Sequence, residues 1–124
     1  MRVTLRWIEI VNTGEPVWKD RGQFLFVARI SADTVTEQRF PDSGSYEITD
    51  QPPWNRVVLN RCIYEGNAVD RLLVELKGEV SDLPAAADPL EDYRREFTGA
   101  PVEWIGSYEE SMRNWRVCYT IEGD

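Results

Sequence analysis

The sequence predicts an all-β protein: an antiparallel β-sandwich of seven to eight strands with one short helix inserted in a loop. Two observations lead to this prediction. Apolar and polar residues alternate along several short runs, as in strands that have one buried face. Clusters of Pro, Gly, Asn and Asp separate these runs at the spacing of short loops. A length of 124 residues is typical of one domain, which we predict over residues 1–124.

The strands are predicted from alternation together with aromatic and β-branched content. They cover residues 2–11, 23–30, 34–40, 45–49, 55–64, 71–80 and 115–121. Alternation in the first strand directs Val3, Leu5 and Trp7 to the core. The apolar positions then shift to Ile8 and Ile10, which indicates a β-bulge or a stretch that is buried on both sides.

A short helix is predicted after the strand at residues 71–80. Asp88 is suited to cap its start and Pro89 to occupy its first position, with Glu91 three residues after the cap. Gly99 can end the helix in the left-handed conformation. The apolar residues at helical spacing are Leu90, Tyr93 and Phe97.

Charge and composition restrict the function. The chain has 22 acidic and 14 basic side chains and a net charge of −8, which disfavours nucleic acid and, without calcium, an anionic membrane. No apolar run is long enough for a signal peptide or a membrane span, so we expect a cytoplasmic protein in which Cys62 and Cys118 are free thiols. The sequence has no His and no Gly-rich phosphate loop, so we expect no enzymatic activity.

The order of features resembles the C-two domain family, the calcium- and phospholipid-binding β-sandwiches. Residues 52–55 (Pro-Pro-Trp-Asn) are similar to the family's Asn-Pro-x-Trp-Asn run before a strand. A Leu-rich strand at residues 71–80 and an acidic loop follow, as in the family. A long opening strand, a loop through residues 19–22 and QFLFVARI at residues 23–30 extend the similarity to the first third. The resemblance implies the sandwich fold.

In this family, aspartates that converge from two loops at one end of the sandwich hold calcium, a cation that takes six to eight oxygen ligands. The resemblance assigns candidate ligands to the two corresponding loops. They are Asp20, Asp82, Asp88 and Asp92. Gly22 and Gln23 occupy the region where the second aspartate of the earlier loop would be expected. The incomplete set favours calcium-independent binding, and calcium-dependent membrane or ligand binding is the alternative.

Four residues are candidates for contact with a partner. Trp18 and Trp104 lie in loop-like stretches near Pro and Gly residues, where binding and core packing are both open. Arg94 and Arg95 form a basic site that can receive an acidic surface of a protein partner or of another copy; a solvated helix face is the other explanation. The sequence therefore predicts a non-catalytic interaction module that binds a protein or self-assembles, with no cofactor unless calcium binds.

Overall fold

The computed structural model describes residues 1–11, 21–49, 55–80 and 90–123, with side chains except those of residues 21, 22 and 80. Its nine strands are β1 Arg2–Ile10, β2 Arg21–Ser31, β3 Val35–Phe40, β4 Tyr46–Thr49, β5 Arg56–Glu65, β6 Arg71–Val80, β7 Tyr93–Thr98, β8 Gly106–Ser111 and β9 Trp115–Glu122. A single turn of 3-10 helix, η1, spans Pro101–Trp104. The predicted all-β antiparallel sandwich is confirmed, with nine strands in the described residues where seven to eight were predicted.

Two antiparallel sheets pack face to face. Sheet A has the strand order β5-β1-β9-β8. Sheet B has the order β3-β2-β6-β7, and β4 pairs with β2 beyond the end of β3. Alternation along β2 and β6 places Phe26, Val74 and Leu76 in the core between the sheets. The side chains that point away from the core form the outer surface of each sheet. We name the outer surface of sheet A face A and that of sheet B face B.

The predicted shift in the phase of β1 is confirmed as a β-bulge. Leu5 pairs with Tyr119 and Trp7 with Cys118, so Arg6 is an extra residue relative to β9. Leu5 and Ile8 both point into the core. The bulge turns Trp7 onto face A, where it is half-buried, so its predicted place in the core is wrong.

The predicted short helix is wrong: its described part is a β-strand. β7 pairs with β6 through Leu76 opposite Tyr93 and Leu72 opposite Phe97. Tyr93 and Phe97 are four residues apart, a spacing that places two side chains on one face of a helix and also on one face of a strand. Pairing with β6 favours the strand, because both rings are then buried against the core. Gly99 does have a positive φ of 96°, but it follows a strand.

Aromatic side chains join the two sheets. Trp115 of β9 stacks on Phe26 of β2 with ring centroids 5.7 Å apart, and its indole N–H donates to the Glu91 carbonyl at 2.6 Å. The buried hydroxyls of Tyr93 and Tyr119 are 2.6 Å apart and satisfy each other. Burial raises the pKa of Tyr119 far above that of an exposed tyrosine, so this hydroxyl stays neutral.

The sandwich has two ends. At the Trp115 end, Ile10 pairs with Trp115 in sheet A, and Phe24 pairs with Val80 in sheet B. At the Met1 end, the N-terminal amine of Met1 donates to the Gly66 carbonyl, and the Gly99 N–H donates to the Asp70 carbonyl. The connection from β7 to β8, which contains η1, lies at the Met1 end.

Candidate functional site

Trp104, one of the predicted contact residues, is buried. Its indole lies 5.9 Å from the Phe97 ring, and its N–H donates to the Thr98 carbonyl at 3.1 Å. The Tyr108 hydroxyl donates to the Trp104 carbonyl at 2.6 Å. Only 4% of Trp104 is exposed, so its ring offers almost no surface to a partner.

Apolar side chains on either side of Trp104 are exposed instead. Val102 is 72% exposed and Ile105 is 51% exposed, because the tight turn of η1 directs Trp104 inward and its neighbours outward. They border a cavity of about 150 Å³ at the Met1 end. Its lining is completed by Met1, Ala68, Pro101, Glu122 and Gly123. We name Val102, Ile105 and this cavity the apolar patch.

Arg95 is held by several contacts. Its guanidinium forms an ion pair with Glu110 of β8 at 2.5 Å, and it lies 4.9 Å from the ring centroids of both Phe97 and Tyr108. The side chain therefore covers the seam between β7 and β8. Arg95 is thus already paired within the chain, although its side chain is 44% exposed. Its contact with a partner stays a prediction.

Arg94 points the other way, onto face B. It is exposed and opposite Glu75 in the β6–β7 register. On the other side of β6, Glu75 is opposite Arg29 of β2. Arg29 is in turn opposite Glu37 of β3. The four charges thus form a row across the sheet in the order Glu37, Arg29, Glu75, Arg94, which we name the charge row.

No member of the charge row forms an ion pair within the described residues. A shallow depression of about 210 Å³ lies along the row, with Val27, Lys77 and Glu79 beside three members of the row. The ion pair between Arg71 and Glu96, at 3.2 Å, lies at the margin of face B. The charges in the middle of face B are therefore not paired within the described residues.

On face A, by contrast, charged side chains form ion pairs with one another. Glu9 accepts from Arg56 at 2.6 Å and lies 3.6 Å from Arg116, which also pairs with Glu109. The guanidinium carbons of Arg56 and Arg116 lie 4.0 and 5.7 Å from the centroid of Trp7. Each arginine satisfies a carboxylate and an aromatic face at once.

Five of the predicted site residues remain. Four of them lie outside the described residues: Trp18, Asp20, Asp82 and Asp88. Asp92 is described and is exposed. No group of three or more Asp, Glu, Cys or His side chains suited to a metal occurs among the described residues. The strand ends that flank the Asp20 segment, Ile10 and Arg21, lie at the Trp115 end with Val80.

Sequence reasoning placed a partner contact at Trp104 but did not single out its exposed neighbours Val102 and Ile105. A single 3-10 turn has no repeating apolar pattern, so no periodic signal marks which of its residues are exposed. The charge row was missed as well, because it depends on which strands pair and in which register. Both thiols, Cys62 and Cys118, are free, as expected.

In the described part of the chain, no helix is long and apolar enough to cross a membrane. No protein-family model matches the chain, and no curated protein matches it significantly in sequence.

Proposed function

We propose that this chain is a non-catalytic, cytoplasmic interaction module of C-two-like fold that binds a protein partner or a second copy of itself without calcium. The apolar patch is the observation that carries the proposal. Exposed aliphatic side chains beside a preformed cavity are typical of protein-binding surfaces, where burial of apolar area drives association. A net charge of −8 disfavours nucleic acid and an anionic membrane as alternatives.

The size of the cavity restricts the partner. In other proteins, a volume of about 150 Å³ holds a group of the size of benzene. We therefore expect the partner to insert one apolar side chain between Val102 and Ile105. The buried Trp104 supports this surface from below, since its contacts with Phe97 and Thr98 fix the position of η1.

The experiment compares Val102→Asp with Val58→Asp. Val58 is 65% exposed on β5, so it is a matched control for an aspartate placed at a solvent-exposed valine. Affinity capture with quantitative mass spectrometry should find partners that the parent and the Val58→Asp variant retain and the Val102→Asp variant loses. If both variants capture the same proteins as the parent, the apolar patch is not the binding surface.

Calcium-dependent binding of a membrane or ligand is a second candidate, favoured by one observation. The described strand ends next to Asp20 and next to Asp82 lie at the same end of the sandwich, where the C-two resemblance expects a calcium site. Calcium titration by calorimetry, with melting curves in parallel, tests this candidate. Calcium that binds the folded chain must raise its melting temperature, and the Asp82→Asn, Asp88→Asn variant should lose that rise.

A further inference from the structure

The charge row is complementary to itself. Read from β3 to β7 its signs are negative, positive, negative, positive, carried by Glu37, Arg29, Glu75 and Arg94. Reading the row in the opposite direction inverts every sign. A twofold axis that lies between β2 and β6 and runs roughly parallel to them performs this reversal when two copies of face B meet.

We propose that face B binds face B of a second copy of this chain in such a twofold arrangement. This inference goes beyond the proposed function: it adds a second contact surface, separate from the apolar patch, and assigns a second copy of the chain to it. Arg29 of each copy faces Glu75 of the other copy, and Glu37 of each copy faces Arg94 of the other. The contact is isologous, so the dimer closes and does not extend into a filament.

Two observations favour a second copy as the occupant. First, the four charges make no ion pair within the described part of their own chain, so their hydrogen-bonding capacity is open to a partner. Second, the same operation brings Val27 of one copy against Lys77 of the other, because these two residues pair across β2 and β6 one row further along. The aliphatic stem of a lysine can cover a valine while its amine stays in water. The twofold therefore opposes no like charges in either row.

The expected association is weak. Four strands about 4.8 Å apart and about five residues long give a face of roughly 20 by 16 Å, well below the ~800 Å² per partner of a standard stable complex. The net charge of −8 on each copy also opposes association. The measurement therefore needs high protein concentrations, on the order of those used in solution NMR or small-angle scattering.

Mixing two charge-reversal variants tests the geometry. In Arg29→Glu alone, two acidic side chains meet across the twofold, and in Glu75→Arg alone, two basic ones meet. When the two variants are mixed, the acidic side chain introduced at position 29 faces the basic one introduced at position 75, and the native Glu75 of the first variant faces the native Arg29 of the second. Both contacts are then attractive. The total charge of the mixed pair equals that of the parent pair.

Sedimentation velocity up to about 1 mM protein, at near-physiological ionic strength, should show dimerisation of the parent, at least tenfold weaker dimerisation of each variant alone, and recovery to within about threefold in the mixture. Arg113→Glu has the same change of net charge as Arg29→Glu at an exposed turn away from face B, and it should dimerise like the parent. Melting curves of the two single variants confirm that each is folded.

A parent that stays monomeric, or a mixture that associates as weakly as its components, overturns the proposal. So does binding of a lysine-rich peptide by a monomeric parent, which would assign face B to a cationic partner. A monomeric parent that still captures partners sensitive to Val102→Asp overturns this inference alone and leaves the proposed function standing.

Discussion

The two outer faces of the sandwich carry similar side chains in different arrangements. On face A, Glu9 joins Arg56 and Arg116 around Trp7, so charge, hydrogen bonding and aromatic contact are satisfied within the chain. On face B, the charge row places opposite charges in register, and its members form no ion pair with any other residue that the structure describes. A face whose groups are already paired gains little from a partner, whereas open groups can exchange water for a partner's charges. Of the two sheet surfaces, face B is therefore the one that we propose for binding.

The largest expected effect on stability comes from a core residue beneath face B, and substitutions on the two outer faces are compared with it. Leu76 is 2% exposed in the core, and Leu76→Ala should lower the free energy of unfolding by about 2–5 kcal/mol because truncation leaves a cavity. Lys77→Ala, one residue along on face B, should change it by less than about 0.5 kcal/mol. Urea unfolding measures both. Equal costs would mean that the strand phase of β6, and with it face B, is assigned wrongly.

Substitution of Trp7 tests whether its ring stabilises face A through its contacts with Arg56 and Arg116. Trp7→Ala removes the ring beneath Arg56 and Arg116, and we expect a loss of about 1–3 kcal/mol from lost packing and cation–π contact. Val27→Ala is the corresponding truncation on face B and should cost less than about 1 kcal/mol. Thermal unfolding of the two variants makes the comparison. A negligible cost for Trp7→Ala would show that the arginines are solvated and face A is as open as face B.

A smaller effect separates the charges of the two faces. Glu9→Gln removes the carboxylate shared by Arg56 and Arg116 and should cost about 1 kcal/mol, since Glu9 is only 16% exposed and its pairs form a network. Glu75→Gln should change stability by less than about 0.5 kcal/mol while weakening association of the chain. Chemical unfolding gives the first quantity and sedimentation the second. A stability cost of Glu75→Gln as large as that of Glu9→Gln would contradict the open state of face B.

The sequence predicted the sandwich well because its strands alternate strongly. The core positions of β2 and β6, such as Phe26 and Leu76, follow from alternation alone. Trp7 was assigned to the wrong side because a bulge at Arg6 inverts every later side chain of β1, and the sequence does not say at which residue the bulge lies. Tyr93 and Phe97 fit helix and strand equally, and the pairing with β6 that decides between them is tertiary.

The candidate surfaces were less predictable for the same physical reason. Arg94 and Arg95 are adjacent in sequence and were treated as one basic site, but neighbouring residues of a strand point to opposite sides of the sheet. Opposition of Arg29 and Glu75 requires the register of β2 and β6, which chain-local patterns do not contain. Exposure of Val102 requires the turn geometry of η1.

The smallest expected effect concerns these two adjacent arginines. Arg95→Gln breaks the ion pair with Glu110 and removes the guanidinium from Phe97 and Tyr108, so we expect a loss of about 0.5–1 kcal/mol. Arg94→Gln should leave the free energy of unfolding within about 0.5 kcal/mol of the parent, because Arg94 makes no ion pair within the described residues. Glutamine is used in both variants, since a carboxylate opposite Glu75 or Glu110 would add repulsion.

Association should rank the two variants in the opposite order. Arg94→Gln removes one of the charges that we place across the twofold, whereas Arg95 lies on the other side of β7 and should leave dimerisation unchanged. Melting curves and sedimentation of both variants therefore give a crossed result, with stability sensitive at position 95 and association at position 94. If stability and association both change at either position, Arg94 and Arg95 do not have separate roles. The two arginines would then form one basic site, as the sequence predicted.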